Sequence, residues 1–205
     1  MKTLILPANS TEAVSRAVAV LQAGQLVAFP TDTVYGIGAL AFDGETVQSI
    51  YVAKGRPPEK AISILLGDSI FLNQVTSSVP VMARRLAAHF WPGPLTLVVP
   101  KNLDLPDAVS ETSTVGVRVP DHRFARELLL AVGPMAVTSA NASGHPNTIT
   151  APEVSDQLNG RIALILDGGS TPGAISSTVV DCTQKEPLIL RIGPVSLHDI
   201  EIALR

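Results

Sequence analysis

The chain is expected to fold as α/β, with helices flanking a twisted sheet that mixes parallel and antiparallel strands. Three observations point there. Short apolar runs rich in Val, Ile and Leu alternate with segments whose apolar residues recur every three to four positions. Many connections between the runs are shorter than the dozen or so residues a parallel crossover requires, so antiparallel pairs must occur in the same sheet. Hydrophobic residues make up 46% of the 205 and charged residues only 16%, which supports a full-sized core and excludes a disordered or coiled-coil chain. No repeat and no Ser/Gly linker divides the sequence, so residues 1–205 are read as one domain.

In chain order, Ser10 can cap a first helix that carries Val14, Val18 and Leu21 on one face, with Gly24 as its stop. Residues 26–29 form an apolar strand. Asp43 caps a second helix with Val47, Ile50 and Tyr51 at helical spacing, and Gly55 is placed to end it just after Lys54. Residues 62–66 read as a buried strand. Pro80 opens a helix through His89, and Trp91-Pro92-Gly93-Pro94 stops it before a strand at 95–99. Strands at 115–119 and 135–137 enclose a helix capped by Asp121. Thr150 with Glu153, and Ser196 with Asp199, each fit a capping box. Strands at 162–166, 178–182 and 188–192 complete seven or eight, with two or three helices covering each face.

Several functions are excluded. Gly36-Ile37-Gly38-Ala39-Leu40-Ala41 fits the loose dinucleotide pattern GxGxxA, but Pro30-Thr31-Asp32-Thr33 precedes it and Asp43-Gly44 breaks the chain soon after, so the pattern is rejected. A Walker A string, HExxH, paired cysteines and the GxSxG elbow are absent. The single Cys182 rules out a disulfide framework and reads as a small buried hydrophobe in a strand, consistent with a reducing, cytoplasmic setting. No apolar run is long enough for a signal-peptide core or a membrane span. The net charge is −3 and neither half is a polycation, which disfavours wrapping of nucleic acid. The four His read as structural or surface groups.

What remains is a set of polar strings at strand ends. Thr31-Asp32-Thr33-Val34-Tyr35-Gly36 puts hydroxyls and a carboxylate after an apolar strand, where open sheets place ligands. Lys54, Arg56 and Lys60 gather cations at a helix end. Thr138-Ser139-Ala140-Asn141-Ala142-Ser143-Gly144 offers hydroxyls and amides among small residues that let a phosphate or sugar approach. Asp167-Gly168-Gly169, Gly173 and Ser176-Ser177-Thr178 form a loop suited to tight turns or a lid. Arg118 and Arg191 interrupt apolar strands, and a buried Arg needs an anionic partner, either a structural carboxylate or a ligand. Together these cations and hydroxyl loops describe a concave site for an anionic ligand.

Read in order, PTDTVYG (30–36), KGRP (54–57), WPGPLTLV (91–98), VGVRVPDH (115–122), TSANASG (138–144), DGG…G…STVVD (167–181) and ILRIGPVS (189–196) resemble the YrdC-like threonylcarbamoyl-AMP synthases, the TsaC family, in its short form without an extra C-terminal domain. The resemblance implies a twisted mixed sheet around a large positive cavity. It also implies an L-threonylcarbamoyladenylate synthase, a nucleotidyltransferase making threonylcarbamoyl-AMP and pyrophosphate from L-threonine, bicarbonate or CO₂, and ATP with Mg²⁺. The product would pass to a tRNA threonylcarbamoyl transferase. On this resemblance Lys54, Arg56, Ser139 and Asn141 hold the nucleotide, with Lys54 and Arg56 also catalytic. Lys60, Thr114, Asn147 and Arg191 lie along the ATP, and Thr33, Arg118 and Ser177 contact threonine; no residue is assigned as a metal ligand. The loop from Gly168 to Ser177 is the expected lid over the reactive anhydride. The chain departs from the family where many members read NPLIVH after KGRP: it has Lys60 for the Asn and Leu65 for a threonine-binding His. The rival readings are a paralogue of the same fold with weak or different activity, which Leu65 favours, and an RNA-binding module, which an aromatic content of 4% disfavours.

Overall fold

Ten strands among the described residues join one sheet in the spatial order β1-β8-β2-β3-β7-β4-β6-β5-β9-β10. In this computed structural model, residues 2–173 and 175–205 are described. The strands are β1 (Leu4–Pro7), β2 (Val27–Phe29), β3 (Gly36–Leu40), β4 (Ser63–Leu65), β5 (Leu95–Pro100), β6 (Thr114–Arg118), β7 (Met135–Ser139), β8 (Leu164–Asp167), β9 (Thr178–Asp181) and β10 (Leu188–Arg191). The helices are α1 (Ala13–Gln22), α2 (Gly44–Lys54), α3 (Leu72–Val75), α4 (Val81–Phe90), α5 (Arg123–Val132), α6 (Ala151–Leu158) and α7 (Leu197–Leu204). Four strand pairs are parallel (β1/β8, β2/β8, β4/β6, β5/β9) and five antiparallel, the mixed open sheet expected.

Alternation along the strands builds two cores. Val27, Phe29, Leu65, Met135, Val137, Leu164 and Leu166 face α1 and α5. Their neighbours Ala28, Ile64, Ala136 and Ile165 face the larger core with α2, α3, α4, α6 and α7. Each large aliphatic side chain so buried contributes about 1.5–3 kcal/mol. The two faces are therefore unequal, two helices against five among the described residues, where an even division was expected.

Several predicted caps form. The Asp43 carboxylate accepts the Thr46 N–H, Gly55 ends α2 at φ 60°, and Ser196 and Asp199 make a reciprocal capping box on α7. Thr150 accepts from the Glu153 N–H, but the Glu153 carboxylate reaches back to the Ile149 N–H rather than to the cap residue, so that box is open. Two caps differ. Helix α1 starts at Ala13 after Glu12 and has no side-chain cap, because Ser10 sits in the turn before it. Helix α5 is capped by His122, whose Nδ1 accepts the Ala125 N–H, rather than by Asp121.

Strands β1 and β3 were not anticipated. Strand β1 is only four residues long and half exposed on the sheet edge. Strand β3 carries Gly36 and Gly38 in the rejected dinucleotide pattern. A Cβ on either would come within 2.8–2.9 Å of the Val137 or Met135 side chains, so glycine is what lets β3 lie against β7. Cys182 is buried beside β9, as expected, and burial pushes its thiol up to about 12. No helix is long and apolar enough to cross a membrane.

Candidate functional site

Ends of strands and the loops between them enclose one open cavity of about 170 Å³. Its walls come from the β2–β3 loop, the segment after α2, β4, β5, the end of β6, the end of β7, the loop before β9 and the end of β10. Six of the anticipated residues line it: Thr33, Arg56, Arg118, Ser139, Ser177 and Arg191.

Arg118 is buried at the last position of β6, and its guanidinium is held at every nitrogen. Nε donates to the Gly93 carbonyl at 2.9 Å, Nη1 to Thr33 Oγ1 at 3.1 Å, and Nη2 to Asp32 Oδ1 at 2.5 Å. The Asp32 side chain is itself only 11% exposed. The anionic partner that a buried strand Arg requires is thus a structural carboxylate, Asp32. The turn at 91–94 supplies the carbonyl. A Cβ on Gly93 would lie 2.3 Å from the Phe90 carbonyl oxygen, so only glycine lets the turn close this tightly. Burial lowers the Arg118 pKa while Asp32 opposes the shift.

Among the described residues Arg191 has no carboxylate partner in the cavity. Its Nε and Nη2 donate to the carbonyl and the hydroxyl of Ser177 at 3.0 and 3.1 Å, and Ser177 Oγ lies 2.7 Å from Thr96 Oγ1. Burial first, then the charges of Arg118 and Arg56, pull its pKa down, which shows that three guanidiniums share one field. Arg56 donates to the carbonyls of Lys60 and Ala61 at 3.0 and 2.9 Å. Its charge is likewise disfavoured by burial.

Lys54 is buried behind the wall that Ser139 forms. Its Nζ donates to the Ser139 carbonyl and, at 2.5 Å, to the Asn141 carbonyl, while the Lys54 carbonyl accepts the Ser143 N–H. Burial, aided by Arg56, brings its pKa down to about 7. A neutral amine has two N–H groups, matching the two carbonyls. Lys54 therefore ties the end of α2 to the segment after β7. Asn141 is buried there; its amide donates to the Ala142 and His145 carbonyls, and its Oδ1 has no partner among the described residues.

The remaining anticipated residues lie outside the cavity lining. Lys60 is exposed; its carbonyl accepts from Arg56 and Tyr51 and its N–H donates to the Pro57 carbonyl. Thr114 sits at the opposite end of β6 from Arg118 and bonds Thr112. Asn147 donates to Ser176 Oγ at 3.4 Å. Leu65, which replaces the family His, does line the cavity and pairs in register with Arg118. The expected lid, 168–177, includes Ala174, which is outside the described residues. Its base is pinned by the Tyr35 hydroxyl, which donates to the Gly169 carbonyl and accepts the Gly168 N–H.

Thr31, Asp32 and Thr96 also belong to this constellation but were not among the anticipated site residues. A threonine between Leu95 and Leu97 in an apolar strand was the available signal for Thr96. Thr31 and Asp32 had their signal in the polar string 31–36, which the sequence places where open sheets bind ligands without giving either residue a role.

With this geometry in place, three comparisons bear on the chain. The profile of the Sua5/YciO/YrdC family, described as telomere recombination, matches residues 19–193. A Mycobacterium tuberculosis protein named provisionally as threonylcarbamoyl-AMP synthase is 44% identical over 95% of this chain and 90% of its own length. The threonylcarbamoyl-AMP synthase of Bacillus subtilis is 40% identical over 93% of this chain and 56% of its own length. The structure of Pyrococcus abyssi Sua5 complexed with L-threonine superposes with a TM-score of 0.95 at 39% identity, covering 98% of this chain and 61% of that one. The chain thus spans most of the mycobacterial relative and little more than half of the other two. It belongs to the Sua5/YciO/YrdC family.

Proposed function

We propose that this chain is an L-threonylcarbamoyl-AMP synthase, a nucleotidyltransferase that joins L-threonine, bicarbonate or CO₂, and ATP. The observation that carries this reading is the grouping of Arg56, Arg118 and Arg191 around one cavity lined by hydroxyls, with Asp32 the one carboxylate ion-paired to them among the described residues. Such a site favours a ligand with several negative charges. The relatives' shared name and the L-threonine bound to the superposed archaeal protein supply the identity of the substrates.

The chemistry has two steps. The threonine ammonium and bicarbonate condense to a carbamate with loss of water and one proton. A carbamate oxygen then attacks the α-phosphorus of ATP, the bond to the β-phosphate oxygen breaks, and pyrophosphate leaves. Nucleophile and electrophile are both anions, so the protein must neutralise and align them. Arg56 and Arg191, without carboxylate partners among the described residues, suit the triphosphate. The two N–H groups that Arg118 has left suit the threonine carboxylate, beside Thr33 and Ser177. Ser139 and Asn141 would hold the nucleoside, with Lys54 fixing their backbone, while Lys60, Thr114 and Asn147 would lie along a longer ATP path. Mg²⁺ would arrive on the triphosphate as part of that substrate. The product, a mixed anhydride sensitive to water, would be consumed in the cytoplasm by a tRNA threonylcarbamoyl transferase.

The test is incubation with ATP, bicarbonate and labelled L-threonine, following pyrophosphate. Release that depends on threonine is expected. Release without threonine, or equally with every amino acid, refutes the reading. Submicromolar RNA binding in a gel shift at physiological salt would favour an RNA-binding module instead.

A further inference from the structure

The geometry points to Thr31 as a positioning residue that fixes Thr33 as a hydrogen-bond acceptor for the substrate's amine. This rests on the synthase reading above and adds to it which atom of the amino acid each hydroxyl meets, and why.

The argument is a count of protons. Thr31 Oγ1 lies 2.7 Å from the Val34 carbonyl oxygen, which can only accept, so the one Thr31 proton is spent there. The same oxygen accepts the Thr33 N–H at 3.2 Å and lies 3.0 Å from Thr33 Oγ1. With the Thr31 proton committed, Thr33 must be the donor in that hydroxyl pair. Thr33 Oγ1 in turn accepts Arg118 Nη1–H at 3.1 Å. Its proton and one lone pair are used, and a single lone pair is left at the cavity wall. All these groups are buried, so water does not reshuffle them.

Another part of the cavity wall carries a similar unit of different polarity. Ser177 Oγ accepts from Arg191 and faces Thr96 Oγ1, but neither hydroxyl is committed to a carbonyl. When an anionic oxygen arrives, Thr96 can turn its proton to Ser177 and Ser177 can turn its own to the anion. One wall is thus a fixed acceptor and the other an adjustable donor.

A fixed acceptor matches the amine through the whole reaction. An ammonium, a free amine and a carbamate nitrogen all keep at least one N–H to donate. A hydroxyl donating to the amine would instead engage the lone pair that must attack carbon. An amino acid whose carboxylate sits on the spare N–H groups of Arg118 brings its α-nitrogen beside Thr33 Oγ1, because that oxygen is itself bonded to Nη1.

Titration of the folded protein with L-threonine and with 3-hydroxybutyrate, which is threonine lacking the amine, tests this in wild type. Threonine is expected to bind at least about tenfold more tightly. In Thr31→Val the Thr33 proton is released. The ratio should then fall towards one and KM for threonine rise about tenfold with KM for ATP unchanged, while Thr31→Ser restores both. Equal affinity of wild type for the two ligands overturns the proposal even if Thr31→Val does not fold. A folded Thr31→Val that keeps the full ratio also overturns it. Binding of neither ligand by wild type instead refutes the synthase reading itself, and the proposal with it.

Discussion

Removing the Asp32 carboxylate should expose how much of the fold depends on one ion pair. Asp32 Oδ1 and Arg118 Nη2 are 2.5 Å apart, with side-chain exposures of 11% and 6%, so neither charge is well hydrated. In Asp32→Ala the guanidinium keeps its bonds to the Gly93 carbonyl and Thr33 but loses its countercharge. The charge of Arg191, which already shares a field with Arg118, then adds repulsion. Breaking a buried pair from one side costs about 3–5 kcal/mol. For a chain of this size that corresponds to a melting temperature lower by roughly 6–20 °C. Urea denaturation of wild type, Asp32→Ala, Arg118→Met and the double variant forms a cycle. The double variant should be more stable than Asp32→Ala alone, because no charge is stranded. A loss under about 1 kcal/mol in Asp32→Ala, or strict additivity in the cycle, refutes the reasoning.

Two further predictions follow from the same site. Arg56→Ala should lower threonine-dependent pyrophosphate release by about 10²-fold or more while melting within a few degrees of wild type, because its bonds are to carbonyls at a half-open rim; retained turnover removes Arg56 from the reaction. The Lys54 pKa, depressed by burial to about 7 from 10.5, means the folded protein binds fewer protons than the unfolded chain between those values. Stability should therefore rise with pH from about 7 to 10, with the burial penalty fully present below 7. Denaturation across that range should show a flatter rise in Lys54→Met, and identical slopes would mean that Lys54 stays charged.

Much of this arrangement was legible in the sequence where a local rule had no competitor. Asp43, Gly55 and Ser196 sit where caps must sit, and the structure uses each one. Arg118 and Arg191 stood out because charge in an apolar strand has few explanations, and both line the cavity. What escaped depended on partners far along the chain. Strand β3 looked like a loop because Gly36 and Gly38 are poor strand residues, and only the side chains of β7 explain them. Asp32 was flagged only as one member of a polar string, because the partner that gives it its role is 86 positions away. Lys54 looked like a ligand contact, yet its amine is taken by backbone carbonyls contributed by the segment after β7. Thr114 was carried by resemblance alone and Lys60 also by its place among the cations after α2, and the structure leaves both outside the cavity lining.

The strand order has a consequence for how such a chain is made. Strands β1 and β2, which precede the rest of this sheet in the chain, are never neighbours: β8 lies between them and bonds to both. Each must wait, with an open edge, until residues 164–167 emerge. The cavity waits longer still, since its walls run from Thr31 to Arg191. Contacts this distant in sequence make for slow folding. A nascent chain therefore cannot complete the cavity until β10 has emerged, and ligand binding becomes a report that this strand has docked.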